Sequence, residues 1–305
     1  MSVTFENTGR ILITGATGYV GNLLLERLAA GGTPIRCLVR DPSKLTSRAP
    51  NDMIEVAAGD VMDASAVRQS LEGVETAYYL IHSMSSSGDF ERQDRLAAEQ
   101  FGSLAHQAGV KRIVYLGGLG DDSDRKLSRH LRSRHEVGEV LRGSGVETIE
   151  FRASAVLGKG SLSFDLIRSL TQRLPVMICP RWLATPTQPI SVKDLLDYLT
   201  AALDLTSDGS RIFEIGTSNI ITYGGLIREY AKQKGLKRLL ISVPILTPYL
   251  SGLWLGLVTP ATAEVGRHLI EGLRNPTIIQ DPSALEAFTI RPMSTSAAIA
   301  QAIED

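Results

Sequence analysis

Residues 11–21 read Ile-Leu-Ile-Thr-Gly-Ala-Thr-Gly-Tyr-Val-Gly, an apolar run that ends in three evenly spaced glycines. The apolar part is typical of a buried strand, and the residues that follow have the periodicity of a helix. In a strand–turn–helix of this kind Gly15 permits the tight turn, Gly18 leaves space for phosphates, and Gly21 lets the helix pack closely. The spacing is Gly-x-x-Gly-x-x-Gly and not the standard Gly-x-Gly-x-x-Gly. We predict that this loop binds the pyrophosphate of a dinucleotide through Gly15, Thr17, Gly18, Tyr19, Val20 and Gly21.

The first half of the chain continues this alternation of strand-like and helix-like segments. Strand-like runs occupy residues 35–39, 54–57, 76–81 and 113–116, and helix-like periodicity covers residues 19–30, 65–71, 90–108 and 127–142. Parallel strands need crossover connections, and helices supply them. The predicted fold class is therefore α/β: a Rossmann-type doubly wound parallel sheet with helices on both faces and a small C-terminal substrate-binding region.

The second half has a less regular pattern. We predict a dinucleotide-binding domain over residues 1–158 and a mostly smaller substrate or lid region over residues 159–305, with strands near residues 190–216 returning to the sheet. Residues 241–258 are strongly apolar, but prolines and glycines interrupt them, so we expect no transmembrane span. Two interpretations of this stretch stay open: a helical hairpin packed as a lid, and a patch that contacts a membrane surface.

The composition narrows the function classes. The chain has 305 residues, 43% of them hydrophobic and 21% charged, which is typical of a globular protein. A formal net charge of -1 gives no global field for nucleic acid, so the expected partner is a small molecule. Cys37 and Cys179 lack zinc-like spacing, as do His106 and His268, and we predict no metal site. Because the first eight residues contain no apolar segment, we expect a cytoplasmic protein.

The end of the second strand bears on coenzyme choice. An acidic residue there usually accepts hydrogen bonds from the ribose of NAD, whereas this strand ends in Arg40. A guanidinium can grip a 2′-phosphate, and Lys44 would add charge, so NADP(H) is preferred while NAD(H) stays possible. Asp41 lies between them, and a solvated ion pair is the alternative interpretation. Asp60 and Val61 would lie beside the adenine, although Asp60 could instead cap the next helix.

Several segments carry a resemblance to a known family. Besides the glycine loop, Arg40 and Asp60-Val61, they are Tyr-Leu-Ile-His-Ser at 79–83, Tyr-Leu-Gly-Gly at 115–118, Ser-Arg-His-Glu-Val-Gly-Glu at 133–139, Phe-Arg-Ala at 151–153, Ile-Ser-Val-Lys-Asp at 190–194, Phe-Glu-Ile-Gly at 213–216 and Thr-Tyr at 222–223. Over residues 10–235 the chain resembles the atypical short-chain dehydrogenase/reductases, and most of all their NmrA-like and YbjT-like branch. The resemblance implies a Rossmann-type domain that binds NAD(P), and a small C-terminal region that encloses the substrate.

The chain departs from the catalytic pattern of that superfamily. Catalytic members carry a serine after the fifth strand and Tyr-x-x-x-Lys on the next helix, whereas Gly117 or Gly118, His130 and Arg134 stand at these positions. His130 can donate a proton, and Arg134 lies on the same helical face, placed to contact the nicotinamide ribose or the developing charge. However, Arg134 disfavours a protonated His130, so standard ketone reduction is doubtful. The basic run at 125–135 is either a solvated helix face or a positive wall beside the coenzyme.

Other residues fall at the predicted carboxyl edge of the sheet, where ligands of open α/β sheets bind. His82 is also an alternative acid, weighed against a role in packing or backbone hydrogen bonding, and a packed Trp182 beside a surface Arg181 is favoured over a ring face in the pocket. Tyr79 and Tyr115 lie within strand patterns and are interpreted as core. The coenzyme candidates at this edge are Leu80, Ile81, His82 and Gly117, and the substrate-pocket candidates are Ser83, Met84, Gly118, Arg181 and Trp182.

Three functions are compatible with these residues. The first is an NADPH-dependent oxidoreductase acting on a small apolar or quinone-like substrate, with the proton coming from water or substrate because the usual triad is missing. The second is a non-catalytic NADP(H)-binding sensor or assembly factor. The third and weaker one is a nucleotide-sugar epimerase, which normally needs the tyrosine that is missing. Both a monomer and a homodimer stay possible.

Overall fold

The computed structural model describes residues 9–45, 53–82, 89–242 and 273–305. The first part of the chain alternates strands and helices. Its strands are β1 (Arg10–Thr14), β2 (Ile35–Val39), β3 (Ile54–Ala58), β4 (Val74–Tyr79), β5 (Arg112–Gly118) and β6 (Glu147–Ala153). Its helices are α1 (Tyr19–Ala30), α2 (Ala64–Leu71), α3 (Phe90–Gln107) and α4 (Arg129–Arg142).

Seven strands form one sheet in the order β11–β6–β5–β4–β1–β2–β3, where β11 is Arg211–Ile215. Strand β1 pairs in parallel with β2 and with β4, β2 with β3, and β4 with β5. The strand order reverses between β1 and β4, which is the switch point where open α/β sheets bind ligands. This topology confirms the predicted Rossmann-type fold class.

The central strands form because they are apolar on both faces. All five residues of β2 are buried, and four of the five in β1 are. Helices α2, α3 and α4 contribute Val67, Phe101 and Val137 to one core cluster with residues of the sheet. Tyr79 and Tyr115 belong to this cluster, and the Tyr79 ring lies 5.0 Å from the Phe101 ring, centroid to centroid. Both tyrosines are core residues, as the strand patterns predict.

Several element boundaries differ from the prediction, and local hydrogen bonds explain two of them. Strand β4 ends at Tyr79 and not at residue 81, since the Leu80 amide turns away to the Thr14 hydroxyl, 3.4 Å away. Helix α4 begins at Arg129 and not at residue 127, because the Ser128 hydroxyl accepts from the amide of Leu131, as an N-cap does. The first difference places His82 on the segment after the strand.

The remaining elements are shorter. They comprise β7 (Val156–Leu157), α5 (Leu162–Arg173), β8 (Val176–Cys179), β9 (Pro186–Thr187), β10 (Ile190–Ser191), α6 (Val192–Ala201), β12 (Ile221–Thr222), α7 (Tyr223–Gln233), β13 (Leu239–Ser242), α8 (Ala284–Ala287) and α9 (Thr295–Glu304). Strand β10 pairs with β7 instead of joining the large sheet, and β13 pairs with β8. Helices α5, α7 and α9 enclose a second core cluster that includes Phe164, Tyr230 and Ile299.

The described residues fall into two compact units. One comprises the described parts of 1–117, 133–152 and 196–213, and the other those of 118–132, 153–195 and 214–305. The first unit holds nearly all of the large sheet. Among the described residues, no helix has the length and apolar character needed to cross a bilayer. Most of the apolar stretch at 241–258 lies outside the described residues, and with it the lid and membrane-surface interpretations.

Candidate functional site

The glycine loop after β1 is built on two close backbone approaches. Gly15 has a φ of +77°, and a Cβ atom there would lie 2.6 Å from the carbonyl oxygen of Leu80, just past β4. A Cβ atom on Gly21 would lie 2.2 Å from the carbonyl oxygen of Gly15. Both positions therefore exclude any side chain, and the loop is pressed between the start of α1 and the end of β4.

Gly18 is the N-cap of α1, and its extended backbone starts the helix without a side-chain cap. The first-turn amides of a helix lack intrahelical acceptors, and the helix dipole adds positive potential at this end. The first turn of α1 contains no acidic residue to neutralise that potential. A Cβ atom on Gly18 would contact only the Gly15 carbonyl, at 3.2 Å, so the missing side chain leaves a cradle above the loop. This cradle fits a pyrophosphate.

Thr17 and Gly18 are exposed, whereas Tyr19 and Val20 are half-buried in the first turn of α1. Thr14 fixes the strand below this loop, because its hydroxyl donates to the carbonyl of Tyr78 at 2.9 Å. The ends of β1 and β4 are thus held together directly under the loop.

Arg40 and Asp60 meet at the far end of the same edge. They follow β2 and β3, which are parallel neighbours, and the Arg40 Nε lies 3.9 Å from an Asp60 carboxylate oxygen. The Arg40 side chain is 84% exposed, so a surface pair of this kind is worth about 1 kcal/mol at most. Asp60 does not cap α2, since Asp63 does so by accepting from the amides of Ser65 and Ala66. Instead, Asp60 accepts from the Met62 amide at 2.8 Å.

Lys44 and Asp41 form the second charged pair of this region, with the Lys44 Nζ 3.8 Å from the carboxylate. Hydrogen bonds from the Ser43 hydroxyl and amide are the main cause that lowers the pKa of Asp41, and Lys44 adds to it. The structure therefore pairs Asp41 with Lys44, and Arg40 with Asp60. The Val61 side chain is buried in the core, and its carbonyl accepts from Gln100 at 2.7 Å.

A polar cluster lies just beyond the end of β4. The His82 Nδ1 lies 3.4 Å from a carboxylate oxygen of Asp94 on α3, and the Ser133 hydroxyl donates to the same oxygen at 3.1 Å from α4. Asp94 and Ser133 are buried, and 15% of the His82 side chain is exposed. Burial is the largest cause that lowers the pKa of His82, the Arg134 charge lowers it further, and Asp94 opposes both.

Arg134 reaches from α4 to the end of β5. Its guanidinium donates to the carbonyl of Leu116, and its own carbonyl accepts from the Tyr115 hydroxyl at 2.9 Å. The positive charge of Arg134 is therefore fixed at the carboxyl edge of the sheet. Burial raises the pKa of Tyr115 to about 12, so its phenol is neutral at physiological pH.

Gly117, a predicted serine position, faces a buried carboxylate. A Cβ atom on Gly117 would lie 3.0 Å from an oxygen of Glu150 on β6, whose side chain is fully buried. Glu150 forms ion pairs with Arg142 and with Arg152. The space that a serine side chain needs at residue 117 is occupied by this cluster.

The other predicted site residues have varied surroundings. Gly118 ends β5, and His130 is half-buried in the first turn of α4. Just before that helix, the Ser128 amide donates to the side-chain oxygen of Asn275 at 3.1 Å. Arg181 is exposed at the start of a short 3₁₀ turn, whereas Trp182 is buried against the Tyr223 ring. Ser83 and Met84 lie outside the described residues.

Sequence reasoning did not identify Asp94, Ser133 and Glu150. One signal for Asp94 was available: it lies four residues after Phe90 and seven before Phe101, on the apolar face of α3. A carboxylate on an apolar helix face needs a partner, and the structure provides His82 and Ser133. Glu150 gave a similar signal, as a charged residue within a buried strand.

Comparison with known proteins identifies the nucleotide-binding part. Residues 15–157 match a family model described as NAD(P)H-binding. One relative is the (4-alkanoyl-5-oxo-2,5-dihydrofuran-3-yl)methyl phosphate reductase of Streptomyces griseus. It is 28% identical over 218 residues, which cover 70% of this chain and 69% of that protein. The family model thus shows an NAD(P)H-binding domain in the first half of the chain, and the reductase is a relative by sequence.

Two solved structures share the fold over nearly the whole chain. Triphenylmethane reductase from a Citrobacter species, complexed with NADP(H), superimposes with a TM-score of 0.75 at 16% identity and covers 96% of this chain and 99% of its own. The NADPH-dependent quinone oxidoreductase of Escherichia coli, complexed with NADPH, gives a TM-score of 0.71 at 18% identity and covers 96% and 99%. These matches confirm the predicted Rossmann-type fold.

Proposed function

Because residues 15–157 form an NAD(P)H-binding domain, we propose that this chain is an NADPH-dependent reductase of small, largely apolar substrates with a carbonyl-conjugated double bond, quinones included. The observation that carries this proposal is the chemistry at the end of β5. Arg134 fixes a positive charge there, while Gly117 stands at a predicted serine position and Tyr115 is buried with its hydroxyl engaged. A conjugated substrate delocalises the charge that develops on reduction, so it depends less on a phenol donor.

The residues around the glycine loop fit a nicotinamide dinucleotide. The α1 N-terminus and Gly18 would hold the pyrophosphate, and Arg40 would hold the adenosine end. When bound, the reduced coenzyme supplies a hydride equivalent, and the protein supplies position, charge and a proton.

The proposed preference for NADPH rests on Arg40. Its pair with Asp60 is exposed and long, at 3.9 Å, so a 2′-phosphate competes for the guanidinium at little cost. A phosphate binds a guanidinium through two parallel hydrogen bonds, which the Asp60 contact does not provide. Lys44 adds a second positive charge five residues after β2.

The relatives support the substrate class. A 5-oxo-2,5-dihydrofuran, the ring in the name of the Streptomyces reductase substrate, has a carbon–carbon double bond next to a carbonyl. A quinone, the substrate class in the name of the Escherichia coli neighbour, is also a conjugated carbonyl compound. Both names thus contain a carbonyl group conjugated to a double bond, which is the substrate class proposed for this chain.

The test of turnover uses two probes, 2(5H)-furanone and 1,4-benzoquinone, with NADPH consumption followed by absorbance. We expect steady consumption with one or both probes and release of the reduced product, detected by chromatography. Tight NADPH binding without turnover on any conjugated probe would contradict the proposal and favour a non-catalytic NADP(H)-binding role.

The coenzyme preference is tested by Arg40→Ala, with Arg68→Ala as the matched control, since Arg68 is an exposed arginine on α2. We expect the Kd for NADPH to rise about tenfold in Arg40→Ala, which is about 1.4 kcal/mol, and the Kd for NADH to stay unchanged. Arg68→Ala should change neither constant. An unchanged ratio of the two constants in Arg40→Ala would show that residue 40 does not contact the 2′-phosphate.

A further inference from the structure

The cluster beyond β4 has the geometry of an acid–base pair. Asp94 accepts a hydrogen bond from Ser133 and faces the Nδ1 of His82 at 3.4 Å, so the carboxylate holds the imidazole from the side of α3. Catalytic hydrogen bonds are often this long before ligands bind. An imidazole whose Nδ1 faces a carboxylate uses Nε2 for proton exchange.

His82 also lies at the correct edge of the sheet. It is three residues beyond the end of β4, and the chain between them touches the glycine loop, since the Cβ position of Gly15 falls 2.6 Å from Leu80 O and 3.3 Å from Ile81 N. The phosphate cradle and His82 are therefore fixed to one another through the backbone of the same unit. Ligands of doubly wound sheets bind at this edge.

We propose that His82 is the catalytic proton donor of this reductase, and that Asp94 is a positioning residue that holds its imidazole and favours its protonated form. The proposal rests on the proposed reductase function and answers the question that the replaced tyrosine raises. In sequence reasoning His130 was the first candidate, with His82 as the alternative. The described contacts give His82 a buried carboxylate partner, and we therefore choose His82.

The proton balance is simple. Reduction of a conjugated carbonyl needs a hydride equivalent, which the reduced coenzyme supplies, and one proton. The Nε2–H bond of the imidazolium breaks, its electron pair stays on the ring, and a new O–H or C–H bond forms on the substrate. Water then returns a proton to Nε2, so His82 and Asp94 end the cycle unchanged.

Two charged groups act on the His82 ring. Asp94 on α3 favours the imidazolium, and Arg134 on α4 disfavours it. With burial, the sum lowers the pKa of His82 below its ordinary value. The protonated fraction therefore falls as pH rises through this lowered value, and the rate should fall with it.

The first experiment needs no turnover. In the coenzyme-free protein, the titration of His82 is followed by NMR in wild type, Asp94→Asn and Ser133→Ala. Removing the Asp94 charge should move the midpoint to lower pH, while Ser133→Ala, which keeps that charge, should move it less. If the midpoint is the same in Asp94→Asn and wild type, Asp94 does not hold the ring and the proposal is wrong.

The second experiment compares kinetics with NADPH and 2(5H)-furanone or 1,4-benzoquinone. We expect His82→Gln to lower kcat about a hundredfold or more, with a small change in the Kd for NADPH, and to remove the decline of rate at high pH. Asp94→Asn should shift that decline to lower pH, in the direction that NMR shows. His106→Gln is the matched control, because His106 is exposed near the end of α3, and it should behave as wild type.

The outcomes separate the two proposals. If the wild type is active and His82→Gln has the same kcat and pH profile, the role of His82 is overturned and the reductase function stands. A wild type that binds NADPH but reduces neither probe overturns both. Loss of NADPH binding in His82→Gln would instead assign His82 to coenzyme binding and contradict the proton-donor role.

Discussion

Replacing Gly15 by alanine tests the glycine loop, and a second glycine of the same unit provides an unusually close control. Gly15 and Gly32 flank α1 with almost the same backbone, at φ +77° and +79°. An alanine in this conformation costs about 1–2 kcal/mol at either position. The surroundings differ: a Cβ atom on Gly32 meets nothing within 4 Å, whereas one on Gly15 lies 2.6 Å from Leu80 O and 2.8 Å from Leu80 C.

The difference between the two variants isolates the contact with Leu80. Forcing a methyl group into a packed position costs about 1–3 kcal/mol, so Gly15→Ala should lose about 2–5 kcal/mol of unfolding free energy and Gly32→Ala about 1–2 kcal/mol. Because relief of the contact moves the loop away from β4, the amides that face the pyrophosphate are displaced as well. We expect the Kd for NADPH to rise at least tenfold in Gly15→Ala and to stay within about twofold in Gly32→Ala.

The assays are urea unfolding without coenzyme and a fluorescence titration with NADPH. If Gly15→Ala does not fold, Gly18→Ala tests the loop instead. The Cβ atom of residue 18 would meet only Gly15 O, at a tolerable 3.2 Å. That variant should unfold within about 1 kcal/mol of wild type and still bind NADPH at least tenfold more weakly, because the methyl group enters the cradle. If Gly15→Ala and Gly18→Ala bound NADPH as tightly as Gly32→Ala, the loop would not be the phosphate site.

Two further predictions concern the sheet below the site. Burial raises the pKa of Cys37 to about 12, so iodoacetamide at about pH 8 should label it only after unfolding in urea; equal labelling rates in native and unfolded protein, measured by mass spectrometry, would contradict its burial. Arg36 donates to the carbonyls of Ser70 and Glu72 at the end of α2, at 2.8 and 2.9 Å, so Arg36→Met should lose about 2–4 kcal/mol in urea unfolding against little change in Arg68→Met. Arg36 also lowers the pKa of Glu55, so its ion pair with Glu55 stabilises the fold while Glu55 is charged, above the ordinary pKa of the carboxyl. The Glu55 contribution to the loss of unfolding free energy in Arg36→Met should therefore disappear as pH falls below about 4.

The sequence predicts the central strands well because β1 and β2 are buried on both faces, whereas β3 is a partly exposed strand at the edge of the sheet. Runs of β-branched and other apolar residues predict the bounds of β2 as the structure has them. They predict the bounds of β1 and β3 to within one residue. The end of β4 was misplaced because Leu80 and Ile81 are as apolar as the strand before them. Whether an apolar residue joins the ladder depends on a hydrogen bond to Thr14, and composition does not contain that information.

The candidate site also has one part that the sequence predicts and one part that it does not. Arg40 and Asp60 are twenty residues apart in sequence, yet the argument that both follow neighbouring parallel strands places them together, as the 3.9 Å contact shows. The pairing of His82 with Asp94 and Ser133 has no such local rule. It depends on how α3 and α4 pack against the end of β4, and three distant side chains meet only once that packing exists.

Glu150 gives a physical reason against a serine at residue 117. Its carboxylate lies between β5 and α4, where Cβ atoms on Gly117 and Gly138 would come within 3.0 and 2.3 Å of its oxygens. A serine at residue 117 adds a hydroxyl beyond the Cβ atom, so it would displace a buried carboxylate that pairs with Arg142 and Arg152. Breaking a buried ion pair costs about 3–5 kcal/mol, so the ion pairs of Glu150 oppose the shift that a serine at residue 117 requires. The strain against a serine at residue 117 fits a substrate that is reduced without a serine hydroxyl at this position of β5. The proton donor that we propose, His82, lies beyond the end of β4, where Asp94 faces its ring.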